Sequence, residues 1–362
     1  MIKLIITIIS VLSLFSCVRH SNQFEVIPIK SNLVDSICIN EILGNLEYVC
    51  LESGDNIPMV GKISKILFES NNIFISDSKS VHRFGMRGNH INTLNRYGRG
   101  PGEYLGIADF CVINKYIYIL DNNNKLHVYS IDGECINTEV VDFYVASMCP
   151  LPGNKLLLKS AYQSEVAKFH IYDCQSLQRL NSFAQIKPSE ITWRHIKGAD
   201  NFYYNDKELI FHEQLNDTVY SISDNIVSPK YVFDFYGKNA PSELWDSEYN
   251  SIMDIVMKLY SGNYCFGTPT FAETNDNLIF AYKEGSETRL CVYNKVSKTS
   301  IQACNIYFNN LSASVPFVEC KVSFFSSKHI GFVLSGIDLL NYDNQSQIHF
   351  NEDDIIICYT MN

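Results

Sequence analysis

The residues best placed to do chemistry lie in one glycine-rich stretch, Arg96-Tyr97-Gly98-Arg99-Gly100-Pro101-Gly102-Glu103-Tyr104. Successive backbone N–H groups around its glycines can form an anion nest, with Arg96 and Arg99 adding charge; Arg96, Arg99, Glu103 and Tyr104 are also candidates for binding at a channel mouth. No Lys-Ser/Thr follows and no helix opens there, which excludes a P-loop. The competing reading is structural. Pro101 fixes its own φ and Gly102 tolerates positive φ, so the pair suits the centre of a type II turn. Gly98 and Gly100 permit close backbone approach between neighbouring units, and Arg99 and Glu103 are placed to pair across the turn. A packing joint is favoured over an anion site.

Other constellations are thinner. Arg194 and His195 could face a channel mouth, with His195 as base or metal ligand, although a surface or packing role is the more economical reading. There is no G-x-S-x-G serine elbow. His212-Glu213 lacks the second histidine of a zinc protease. "DNNNKLHVYSIDGE" offers oxygens from Asp121 and Asn123, but Lys125 and Leu126 stand where a calcium loop needs a ligand and a glycine, so it reads as a hairpin turn. The nine histidines look scattered. Of the 12 cysteines, eleven follow Cys17, with no C-x-x-C pair, and many sit in apolar runs such as "YVCL" and "IIICY". They read mostly as buried free thiols, with an isolated disulfide left open and unassigned. No cofactor and no tightly bound metal is expected.

The elements that must position these residues are β-strands in repeat. "ILFESNNIFISDSKSVHRFGMRGNHI" and "FCVINKYIYILDNNNKLHVYSIDGECI" align, with Ile73 on Ile117, Asp77 on Asp121, Phe84 on Tyr129 and Gly88 on Gly133. That offset, 44 or 45 residues, is the length of a four-stranded propeller blade. Blades are expected over 61–94, 107–140, 146–183, 191–236 and 266–306, with a sixth in the C-terminal portion. The fold class is therefore all-β, a six-bladed β-propeller of four-stranded antiparallel blades. A helical insertion is expected near 241–260, where Trp245, Tyr249, Ile252, Val256 and Leu259 share one helical face. It packs on a blade or, alternatively, forms a lid or docking helix.

Composition agrees with a large β-rich core: 46% hydrophobic and 13% aromatic residues in 362. The net charge of -10 is diffuse, without a basic stripe, so nucleic acid is not an expected partner. Met1-Ile2-Lys3 and the apolar run from Leu4 to Phe15, too short to span a bilayer, read as a signal peptide over 1–16. Leu14-Phe15-Ser16-Cys17 then resembles a bacterial lipobox, so Cys17 is expected to be lipidated, 17–23 to be a tether, and 24–362 to be the propeller. Phe15 departs from the small residue usual at that position.

"RYGRGPGEYLGIADFCV" resembles the interblade motif of NHL-repeat propellers. Leu51-Glu52, "GRGPGEY", "NDTVY" and "SPKYVFDFYG", in that order, resemble the six-bladed propeller lipoproteins of Bacteroidetes over nearly all of the mature chain. The resemblance implies a lipid-anchored cell-envelope location, at the outer membrane, and supplies no catalytic residues. Two functions stand side by side: a binding or scaffolding module for a glycan, peptide or envelope protein, and a metal-assisted lyase or hydrolase working in the channel. The missing motifs tilt the reading toward binding.

Overall fold

The computed structural model describes residues 24–161, 167–186, 202–204, 208–213, 215–247, 249, 251–309, 311, 313–317, 322–325, 329–342 and 354–360. Its strands build a β-propeller of seven blades, not the six counted from the repeat. In chain order the blades span 65–94, 107–140, 145–185, 202–234 and 265–303; a three-stranded sixth pairs Asn305–Phe308 with Ala313–Pro316; the seventh contains Val322–Phe325, Ile330–Ser335 and Ile355–Thr360. The sixth blade escaped the repeat count for a physical reason. Its strands are four residues long, and its remaining strand, Ile37–Cys38, comes from the other end of the chain, so no 45-residue period marks it.

The middle strands read as unbroken apolar runs because both of their faces are covered by neighbouring blades. In Lys155–Ser160, Leu156 and Leu158 pack toward the second blade while Leu157 packs toward the fourth. Each such leucine contributes about 1.5–3 kcal/mol by burial. Residues 24–50 form a strap around the outside. Glu25–Pro28 lies parallel on Ile226–Asp234 of the fourth blade. Leu33 bridges Gln302 of the fifth, Ile37–Cys38 joins the sixth, and Leu46–Cys50 completes the seventh, antiparallel to Ile355–Thr360. Ring closure therefore joins the two ends of the chain, and Ile27, Ile37 and Ile39 of the strap are fully buried beneath it.

Each full blade runs up and down from axis to rim, which sorts the connections onto two faces. Interblade joints and the turns between second and third strands share one, here the loop face. The remaining turns form the opposite, turn face. The helices Ser242–Asp246 and Ile252–Ser261 belong to the joint between the fourth and fifth blades, on the loop face. Ile255 and Leu259 bury against Leu215, Leu244 and Phe266, whereas Val256, expected in the buried stripe, is only half-buried. The side chains of Trp245 and Ile252 lie outside the described residues. The ten described cysteines form no disulfide with one another, and six of them are buried.

Candidate functional site

The glycine-rich joint supplies its own anion. Glu103 turns back so that its Oε2 accepts a hydrogen bond from the Gly100 N–H at 2.6 Å. The same oxygen lies 2.0 Å from where a Cβ on Gly98 would be, so the glycine makes room for the carboxylate. Among the described residues no ion pair joins Arg99 to Glu103; that expected pairing is replaced by the internal nest. Gly102 has φ +69°, and the Glu103 N–H donates to the Gly100 carbonyl at 3.1 Å, which is the expected type II turn. Tyr104, expected to be a binding residue, is fully buried. Its hydroxyl donates to the Lys79 carbonyl at 2.8 Å, and burial pushes the phenol up to about 12, only partly offset by the Arg96 backbone N–H. Arg96 and Arg99 stay exposed, Arg96 reaching the Gly133 carbonyl at 3.3 Å. Arg194 and His195 lie outside the described residues.

Three of the histidines are not scattered. His82, His127 and His170 occupy one position on the third strand of three successive blades. His82 Nδ1 meets Thr93 Oγ1 at 3.1 Å, His127 meets Thr138 at 3.0 Å, and His170 meets Ser182 at 2.8 Å, each hydroxyl standing on the fourth strand. On the other side, His82 Nε2 faces Asp77 at 3.2 Å, His127 faces Asp121 at a looser 3.5 Å, and His170 faces the Ala167 carbonyl at 3.2 Å. An acceptor at Nε2 places the ring proton there and leaves Nδ1 to accept from the hydroxyl. Burial alone would raise the Asp77 carboxyl. Hydrogen bonds from His82 and from the N–H groups of Lys79, Gly61 and Ser80 outweigh it and hold the group well below its usual range. Asp121 is lowered in the same way by His127, Lys125 and Asn123. Asp, His and Thr are the residue types of a nucleophilic relay, yet here the set fastens the turn after the second strand to the fourth strand. The missed signal was "INT", "INT" and "LNS" at Ile91, Ile136 and Leu180, one blade apart.

Toward the axis, Lys65, Asp109 and Ser147 occupy equivalent places on the first strands of three successive blades. Lys65 Nζ meets Asp109 Oδ1 at 2.8 Å, and Asp109 Oδ2 accepts from the Met148 N–H at 2.7 Å, so one carboxylate links three blades. Among the described residues the buried Ser147 hydroxyl has no hydrogen-bond partner. Beside them Glu213 takes Lys168 at 2.9 Å and Lys159 at 3.4 Å, with Lys159 5.2 Å from the centre of the Phe211 ring. These charges hold one another in ion pairs, two lysines sharing Glu213, and make a polar floor. Among the described residues no three His, Cys, Asp or Glu side chains converge as metal ligands.

Above that floor the loop face is rich in exposed apolar and aromatic groups. Tyr97, Tyr144 and Tyr236 stand in three interblade joints, each about half exposed. Met253 and Met257 point away from the packed side of their helix. Where the seventh blade meets the first, the loop from Leu51 to Ile63 and the residues around Ser335 and Ile355 enclose a cavity of about 1040 Å³, lined among others by Glu52, Asp55, Lys62 and Met59.

The match to a family profile decides the family: residues 24–354 fit the domain of unknown function DUF4934. The chain belongs to the DUF4934 family. Comparison with curated proteins yields no match. Among solved structures, a candidate exported protein of Bacteroides fragilis superposes with a TM-score of 0.71 at 17% identity, covering 93% of this chain and 99% of its own. That likeness shows the fold of this DUF4934 member. The Neurospora crassa Pan2 WD40 domain matches with a TM-score of 0.42 and 8% identity over 83% of this chain and 90% of its own. The extracellular domain of a Bacteroides thetaiotaomicron one-component system gives 0.41 and 14% over 84% and 35%. No conclusion rests on these two.

Proposed function

We propose that this DUF4934 protein is an envelope lipoprotein, held at the outer membrane through acylated Cys17, whose loop face captures a glycan, a peptide or another envelope protein. One observation carries the reading: the exposed Tyr97, Tyr144 and Tyr236 share the face that holds the cavity, while the charged groups beneath are already engaged in ion pairs. Tyrosine offers a stiff apolar ring and a polar tip at low entropic cost, which suits sugar rings and extended peptides alike. A floor of ion-paired carboxylates supports binding better than proton transfer, which needs a group free to titrate. An exported location fits the lipobox and the candidate exported relative from Bacteroides fragilis.

Two experiments test it. Radiolabelled palmitate in an exporting bacterial host is expected to label the wild type and not Cys17→Ser; equal labelling of both removes the anchor. The purified chain, offered a panel of envelope polysaccharides and unstructured peptides, is expected to retain one class. That retention should fall about tenfold or more when Tyr97, Tyr144 and Tyr236 are changed together to Ala. Unchanged retention by a folded triple variant contradicts the reading.

A further inference from the structure

The strap reaches the body of the propeller at a corner with its own chemistry. Glu25–Pro28 runs parallel to Ile226–Asp234, a strand that leads from the turn face toward the loop face, so the chain before Glu25 leads back toward the turn face. At that corner Lys298 Nζ meets Glu25 Oε1 at 2.5 Å, which ties the fifth blade's turn to the strap. Val296, in this turn, is 78% exposed, and Ile226, beside the Asp224-Asn225 turn of the fourth blade, is 64% exposed. Phe24 and Val26 of the strap are about half exposed as well. Lys230 and Lys295 nearby are both held by Glu273, and Lys298 by Glu25, while Asp224 and Asp276 stand exposed in the adjoining turns.

Only residues 18 to 23 separate Cys17 from Phe24, and an extended chain covers about 3.5 Å per residue, so the anchor and the corner lie within ~25 Å of each other. We propose that the turn-face rim of the fourth and fifth blades rests on the lipid surface, with Val296, Ile226 and Phe24 entering the headgroup region and the loop face turned away from the membrane. This rests on the acylation of Cys17 proposed above. The net charge of -10 gives the body no electrostatic pull toward anionic lipid, so the acyl chains supply the attachment and the apolar corner sets the orientation.

The test uses the full lipidated chain added to preformed phosphatidylcholine vesicles. Val296→Cys and Tyr97→Cys are each made in a Cys135→Ser background, which removes the one fully exposed described thiol and serves as the blank. A membrane-impermeant polyethylene-glycol maleimide is applied on vesicles and again after detergent. Labelling at 296 is expected to be about fivefold or more slower on vesicles than in detergent, with position 97 unchanged. Equal protection at both positions, or none at 296, in protein whose N-terminal peptide carries the acyl mass overturns the orientation and leaves the anchor standing. An N-terminal peptide without acyl mass, in protein that does not float with the vesicles, removes the anchor and the orientation with it.

Discussion

Gly102 and Gly153 both hold positive φ, +69° and +77°, but only one of them is crowded. A Cβ on Gly153 would meet nothing within 4 Å, whereas one on Gly102 would lie 3.0 Å from both Cβ and Sγ of Cys135 in the next blade. Gly153→Ala should therefore cost the backbone term alone, about 1–2 kcal/mol for an L residue in the left-handed region. Gly102→Ala adds the displacement of Cys135, about 1–3 kcal/mol if it resembles overpacking elsewhere. It also disturbs the Gly102 carbonyl that accepts from the Tyr129 hydroxyl at 2.9 Å. Gly102→Val should be worse than either, since a β-branched residue tolerates positive φ poorly. Urea midpoints by circular dichroism, with thermal melts alongside, give the comparison; in a chain of this length each kcal/mol moves Tm by only about 2 °C. If Gly102→Ala is no more costly than Gly153→Ala, the joint is not a close interblade contact and the structural reading of the glycine-rich stretch fails.

Asp109→Ala should destabilise by about 3–5 kcal/mol, because it removes the carboxylate of a buried ion pair with Lys65 and the acceptor of the Met148 N–H, and the same urea titration reads it. Tyr104→Phe should cost about 1–3 kcal/mol through the abandoned Lys79 carbonyl, again by urea midpoint. Asp77 and Asp121 have carboxyls held below the unfolded value of about 4, so their stabilisation is complete above that value and is lost as pH falls from it toward the lower folded-state values. Asp77→Asn with Asp121→Asn should flatten the fall in stability between pH 5 and 3, and an unchanged acid limb would contradict the turn-locking role.

How much of this was legible beforehand depended on whether a signal was local. The first blades announced themselves because Ile73-Phe74-Ile75 and Ile117-Tyr118-Ile119 are buried on both faces and so cannot drift in sequence. The type II turn at Pro101-Gly102 was legible because its backbone needs are met by two adjacent residues. The sixth blade was not, since Ile37–Cys38 and Asn305–Phe308 pair across most of the chain. Glu103 reads as a surface partner of Arg99 because a carboxylate folding back onto its own glycine loop leaves no pattern distinct from an exposed turn. Tyr104 was misjudged for a related reason: an aromatic beside a polar loop reads equally as platform or as core. The aligned histidines were missed although their spacing matches the repeat. The loop-face tyrosines had no local signal, because they occupy different places in different joints and meet only through the ring.

The central claim, that the loop face is the capturing face, is tested most directly by photo-crosslinking in the native host. Benzoylphenylalanine is placed singly at Tyr97, Tyr144 and Tyr236, and at Tyr116, an exposed tyrosine at a turn-face hairpin of the second blade. The account predicts one discrete envelope adduct shared by the three loop-face positions and absent at Tyr116. The same adduct from Tyr116, with none from the loop face, would contradict it.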